Sequence, residues 1–205
     1  RDARLLEARE RGEREVLRLD VEAREIDVAL AWHPADRRLA TARAAVRAID
    51  DPAVVLKKEL AYIPFFGWVI YKFRMIPVER SAGTQALKAM MERAQAEAVA
   101  GRQIVIMPEG TRRAPDDPPA YKPGAAALYA TLGVPCVPFA LNSGLFWPRR
   151  KFLRLPGTIV VEFLPPIPPG LDKNEFLQRL QNDIETATAR LLAEGQAELE
   201  RLGIS

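Results

Sequence analysis

Two short segments deliver chemistry-bearing residues directly behind apolar runs. Gln103 to Met107 (QIVIM) leads into Pro108-Glu109-Gly110-Thr111-Arg112, which offers a carboxylate, a glycine, a hydroxyl and a guanidinium in sequence. That set suits a phosphate. Gly110 lets backbone N–H groups come close, Thr111 adds a donor, and the planar fork of Arg112 matches two phosphate oxygens. Glu109 has the wrong charge to touch a phosphate and is expected to orient the arginine. Read alone, P-E-G is an ordinary surface turn. The second segment, Met75 to Val78, ends in Glu79-Arg80-Ser81. Ser81 reads as a helix cap. Glu79 and Arg80 are then either surface charges around that cap or, in the functional reading, Arg80 is a second phosphate ligand.

Other chemistry is narrowed by what the chain lacks. His33 is the only histidine and Cys136 the only cysteine among 205 residues, so no internal disulfide and no Cys- or His-based metal site is expected. Any imidazole chemistry falls to His33 or to another chain. Neither G-x-x-x-x-G-K-[ST] nor G-x-G-x-x-G occurs, which argues against a nucleotide binder. A net charge of +3 suits an anionic ligand or membrane surface and is too small for a dedicated nucleic-acid protein. The longest apolar stretch, residues 61–71 (AYIPFFGWVIY), is too short to span a bilayer. Residues 1–20 are charged throughout and do not read as a signal peptide, so the cytoplasmic side is expected.

The composition changes near Asp50. Residues 1–50 hold 11 arginines and 11 acids but no lysine, phenylalanine or tyrosine, whereas all seven lysines and all eight phenylalanines lie beyond them. The segment reads as a charged helical arm with opposite charges at i, i+3 and i+4. It also reads as a stretch foreign in composition to the rest of the chain, such as a GC-rich gene yields out of frame. Residues 51–205 read as a separate domain. Its strands are expected at 53–56, 75–78, 103–107, 136–141 and 158–164. Its helices are expected at 64–73, 81–100, 124–132 and 173–201, with a stiff proline linker at 165–170. Pro135 and Pro138 force the 136–141 strand to bend or to lie at an edge. Strands alternating with helices predict an α/β fold, a mostly parallel twisted sheet flanked by helices.

With these separations, M-I-P-V-E-R-S, I-M-P-E-G-T-R, Y-K-P-G and G-V-P-C-V-P-F-A-L resemble the lysophospholipid acyltransferases, the 1-acyl-glycerol-3-phosphate acyltransferase family. The resemblance runs from residue 51 to about 192 and includes LKKEL and IPFFGW. It implies a glycerophosphate acyltransferase-like fold and acyl transfer from acyl-CoA or acyl carrier protein, as co-substrate rather than cofactor, to lysophosphatidic acid. From the residues themselves, a peripheral place on the cytoplasmic face of a membrane is expected, with no nucleic acid as partner and no metal. By motif, Arg80, Glu109, Gly110, Thr111 and Arg112 are the residues that bind the acceptor's phosphate, with Lys122 a further cation beside them.

The resemblance fails at one block. The family's H-x-x-x-x-D, whose histidine is the general base and whose acid holds its tautomer, has as its sole counterpart His33-Pro34-Ala35-Asp36-Arg37-Arg38. The fifth residue on is Arg38, and the acid, Asp36, stands at the third. His33 and Asp36 are either a variant catalytic pair, or the chain is an impaired homologue that binds anionic lysophospholipid without turnover. The aromatic and basic residues of 57–74, and Phe146 and Trp147 ahead of Arg149, Arg150 and Lys151, suit a membrane surface, although several of these rings are expected in the core.

Overall fold

The computed structural model describes residues 15–21, 51–79, 83–111, 117–148, 152 and 154–204, the first segment by its backbone alone. The elements run β1 (Glu15–Val21), β2 (Ala53–Lys57), a 3₁₀ turn (Lys58–Tyr62), α1 (Phe66–Lys72), β3 (Ile76–Val78), α2 (Gly83–Val99), β4 (Ile104–Val105), α3 (Pro123–Leu132), β5 (Phe139–Leu141), α4 (Ser143–Phe146), β6 (Gly157–Phe163) and α5 (Lys173–Arg201). They form two three-stranded sheets, β3-β2-β4 and β1-β6-β5. In the first, β3 and β4 both pair parallel to β2, as the strand–helix alternation predicts. The second is antiparallel throughout, a departure from the mostly parallel expectation. Parallel neighbours need a crossover, usually a helix. Between β5 and β6 the described residues offer only the four-residue α4, and the chain doubles back. The proline-flanked β5 does lie at a sheet edge.

The helical reading of the first segment is corrected at residues 15–21. Leu17, Leu19 and Val21 alternate with Arg18 and Asp20, a period-2 pattern that the helix-spaced charges obscured. Pairing settles the contest: Leu17 lies opposite Val161 and Leu19 opposite Ile159. The other residues of the expected arm lie outside the described residues.

Helices cover the sheets through small contacts. Met90 and Ala94 of α2 pack with Ala53 of β2, Ile76 of β3 and Leu128 of α3. The alanines of α3 let α5 come close, so that Tyr129 stacks on Phe176 with ring centroids 3.9 Å apart. Tyr129 also donates its hydroxyl proton to the Pro168 carbonyl and thereby anchors the proline linker. Asp172 caps α5 by accepting from the N–H groups of Asn174 and Glu175. Buried Asn142 joins three elements: it donates to the Thr158 and Leu191 carbonyls and accepts from Val160 N–H. Phe146 is fully buried beside Ile159 and Leu199 and so belongs to the core, while Trp147 is half-buried with Arg154 over its ring.

At the amino edge of the parallel sheet the buried guanidinium of Arg102 gathers three chain segments. It donates to the Asp51 carboxylate and to the carbonyls of Asp51 and Pro52 ahead of β2. It donates to the carbonyls of Phe73 and Arg74 between α1 and β3, and to buried Glu97 near the end of α2 at 2.8 Å. Asp51 and Arg74 sit at φ +44° and +51°, a conformation that costs a non-glycine residue about 1–3 kcal/mol and that these bonds hold in place. Hydrogen bonding to Arg102 is the main reason the Glu97 carboxyl is held below its usual range, and its partner guanidinium is correspondingly raised.

Arg102→Met is expected to cost about 3 kcal/mol in urea unfolding, the lower end for a broken buried pair, because Arg74 still reaches Glu97 at 3.0 Å. Because the folded-state pKa of Glu97 is depressed, its contribution is complete above the ordinary glutamate value of about 4.3 and is lost as pH falls below it. The wild type should therefore lose more stability than Glu97→Gln between about pH 5 and about pH 3, on either side of that value. Equal losses would remove Glu97 from the clasp.

Candidate functional site

Parallel pairing places the carboxyl ends of β2, β3 and β4 on one edge of the sheet, where open α/β sheets bind ligands. Glu79 follows β3 there, and the chain leaves β4 through Ile106 and Met107 into the P-E-G turn. Gly110 N–H closes that turn on the Met107 carbonyl at 2.9 Å, and Gly110 takes φ +68°. Pro108 pre-sets the backbone of the turn's second position, and glycine tolerates the left-handed end. The Glu109 carboxylate accepts from Ala120 N–H at 2.9 Å, while Lys122 N–H reaches the Pro108 carbonyl at 2.9 Å. These two bonds tie the P-E-G turn to the Y-K-P-G loop. The loop is fixed from the other side by Tyr121, whose hydroxyl donates to Glu185 of α5 at 2.9 Å. Burial, and then the bond to Glu185, push the Tyr121 hydroxyl far above the usual tyrosine range, so it stays a donor.

Beside this edge lies an open groove of about 500 Å³. Ile76, Pro77, Val78 and Glu79 form one side, Lys58, Tyr62 and Tyr71 a second, and Gln85, Met90 and Arg93 of α2 a third. Lys58 and Glu79 pair across its mouth at 2.7 Å, and that hydrogen bond, with the carboxylate's charge, raises the Lys58 pKa. The lining is mixed in character: Ala61, Ile76, Pro77, Val78 and Met90 are apolar, Lys58 and Arg93 are cations, Glu79 is an acid, and Tyr62 and Tyr71 supply two phenols.

The structure brings Glu109, Gly110 and Lys122 together through the two loop bonds, with Thr111 next in the chain and exposed. Glu109 is engaged with backbone N–H, a turn-fixing part beyond the arginine-orienting part expected of it. Arg80 and Arg112 lie outside the described residues, as do His33 and Asp36. The chain places Arg80 one residue after Glu79 and Arg112 two after Gly110, both behind strands that end on the same edge. Lys58, Tyr121 and Arg93 were not singled out as site residues from sequence. Lys58 stands inside LKKEL and Tyr121 inside Y-K-P-G, and those motifs are the sequence signal for both. Arg93 had no signal to separate it from other helix-surface cations. Among the described residues no three His, Cys, Asp or Glu side chains gather as a metal ion would need.

Comparison with known proteins points the same way. A model of the acyltransferase family matches residues 24–142, a stretch that begins before the composition change and contains His33, Asp36, Arg80 and the P-E-G-T-R turn. The 1-acyl-sn-glycerol-3-phosphate acyltransferase of Pseudomonas aeruginosa is 32% identical over 140 residues, 68% of this chain and 54% of that protein. A protein of the same name from Limnanthes alba is 30% identical over 114 residues, 55% of this chain and 41% of its own length. This chain thus spans about half the length of the curated relatives it matches. The crystal structure of the 1-acyl-sn-glycerophosphate acyltransferase PlsC from Thermotoga maritima superposes with a TM-score of 0.53 at 23% identity, over 69% of this chain and 57% of that one, a likeness of fold. Since the family match covers more than half of its residues and takes in both strand-end motifs, this chain belongs to the acyltransferase family.

Proposed function

We propose that this domain transfers an acyl group from acyl-CoA or an acyl carrier protein to the free hydroxyl of lysophosphatidic acid, as the names of its relatives suggest. The observation that supports the reading is the common sheet edge, where the E-R and E-G-T-R segments follow parallel strands, with a groove of mixed lining on the Glu79 side. In this reading Arg80, Arg112 and Lys122 hold the acceptor's phosphate, and the bonds from Glu109 and Tyr121 keep the loops that carry them in register. His33 takes the proton of the acceptor hydroxyl as its oxygen attacks the thioester carbonyl, the C–S bond breaks, and the thiolate leaves as the free thiol once it regains a proton. Asp36 fixes the imidazole tautomer. Both substrates carry long acyl chains, so the domain works as a peripheral protein at a membrane surface.

A second reading rests on one observation, the spacing His33-x-x-Asp36 with Pro34 directly after the histidine. Proline biases the preceding residue away from helix, and Asp36 faces His33 only if a helical turn starts at once. Under that reading the domain binds lysophosphatidate and does not turn it over.

Two measurements test these readings: the first tests the acceptor site that both share, and the second separates them. Arg112→Ala is expected to weaken lysophosphatidate binding by about ten- to a hundredfold, the equivalent of one charged hydrogen bond. Unchanged affinity would take the phosphate away from the P-E-G-T-R turn. Thiol release from acyl-CoA in the presence of lysophosphatidate is expected at an enzyme-like rate of about 1 per second or faster, falling by about 10²–10⁴ in His33→Ala. Binding with no thiol release, indifferent to His33→Ala, would establish the second reading.

A further inference from the structure

Seven of the twelve large apolar side chains that stand exposed among the described residues fall between residues 62 and 73. Phe65 (79% exposed), Tyr62 (72%), Tyr71 (64%) and Trp68 (57%) lead them. They cannot turn inward. α1 is pressed onto the 3₁₀ turn at Gly67, where a side-chain carbon would come within 2.1 Å of the Ala61 carbonyl oxygen, and only Ile70 and Gly67 of the helix are buried. The rings therefore stand on the outer side. Phe65, the most exposed, is held there at φ +68°, and Trp68 contacts both the Phe65 ring and the Lys72 ammonium, 4.5 Å from its centroid.

The same stretch concentrates the charge. Residues 57–74 contain four cations, Lys57, Lys58, Lys72 and Arg74, and one acid, Glu59, a net +3 that equals the net charge of the entire chain. All four cations are exposed; Lys58 is paired with Glu79 and Arg74 with Glu97, so Lys57 and Lys72 carry the excess positive charge of this face. A contiguous aromatic surface rimmed by cations fits the boundary of an anionic bilayer, where rings lie among headgroups and ammonium groups meet lipid phosphates. A second protein chain would be served by the apolar part alone, and the excess positive charge decides between them.

We propose that the 3₁₀ turn and α1 form a membrane-docking face that inserts Phe65 and Trp68 at the headgroup level of an anionic bilayer. Tyr62 and Tyr71 belong both to this face and to the groove, so docking sets headgroups at the groove's mouth. The inference gives the proposed acceptor its source, and rests on that reading for this last step only; docking itself needs no turnover.

The test is co-sedimentation of the chain with vesicles of phosphatidylcholine alone or with phosphatidylglycerol added. Binding is expected only with the anionic lipid and to fall with added salt. Phe65→Ser with Trp68→Ser should abolish it. Lys57→Gln with Lys72→Gln should weaken it by about 25-fold, about fivefold per cation, and flatten the salt dependence. Phe152→Ser, a fully exposed ring elsewhere, should leave it unchanged. Circular dichroism of each variant checks the fold, and the lysine pair tests the proposal even if the aromatic pair does not fold. Equal binding to both vesicle types, or wild-type binding by the lysine variant, would overturn the proposal. So would a dimer in solution that the aromatic substitutions make monomeric. Vesicle binding without acyl transfer would uphold the docking face while the enzymatic reading fails.

Discussion

Arg102 is the point on which the parallel half of the fold turns. Its five N–H groups are spent on segments that share no other reason to meet: the residues ahead of β2, the bend between α1 and β3, and the end of α2. Carbonyls that β2 and β3 leave unpaired at their amino ends thereby gain a donor, which a buried edge requires. Two left-handed residues, Asp51 and Arg74, are held where the chain would otherwise relax. Securing the amino ends of the strands leaves their carboxyl ends to be occupied by loops, and those loops carry the functional groups.

At that opposite edge the logic is repeated with weaker bonds. A proline and a left-handed glycine make the turn after β4, and one carboxylate and one backbone N–H lash it to the loop before α3. Tyr121 passes the constraint on to α5 through Glu185. The long C-terminal helix thus does two jobs. Its apolar face closes the core over α3, β5 and β6, and a single acid on its flank fixes the loop that bears Lys122. Glu162 of β6, nearly fully buried, is matched by Arg190 of the same helix, so the antiparallel sheet is joined to α5 by charge as well as by packing. Acidic groups near the expected phosphate site are acceptable because each named one is engaged in holding backbone or a partner side chain.

Much of this was legible in one dimension. The α5 helix was expected at 173–201 and occupies Lys173–Arg201, because its apolar residues recur at i, i+3 and i+4 from Phe176 to Leu199 and Asp172 caps it. Gly101 and Gly133 end their helices at φ +80° and +61°. Strands β3 and β4 lie within the runs assigned to them, shortened where only part of each run finds a neighbour to pair with, and β2 runs one residue past its run, to Lys57. The P-E-G turn and the acid after β3 were recognised as strand-end features because apolar runs stop abruptly at charged residues.

What the tertiary structure decided were matters of partner choice. The amino acids of 15–21 satisfy a helical charge pattern and a strand alternation at once, and only the exposed edge of β6 makes the strand the better outcome. The Phe146 ring is buried and the Phe65 and Trp68 rings are exposed, because Gly157 and Gly195 leave room for the first while Gly67 holds α1 against the 3₁₀ turn with the other two on its outer side. Local sequence determines which elements form, since periodicity, caps and turn residues act over a few neighbours. Which face of an element is buried, and which strand runs beside which, depends on surfaces that come from distant parts of the chain and exist only once they have met.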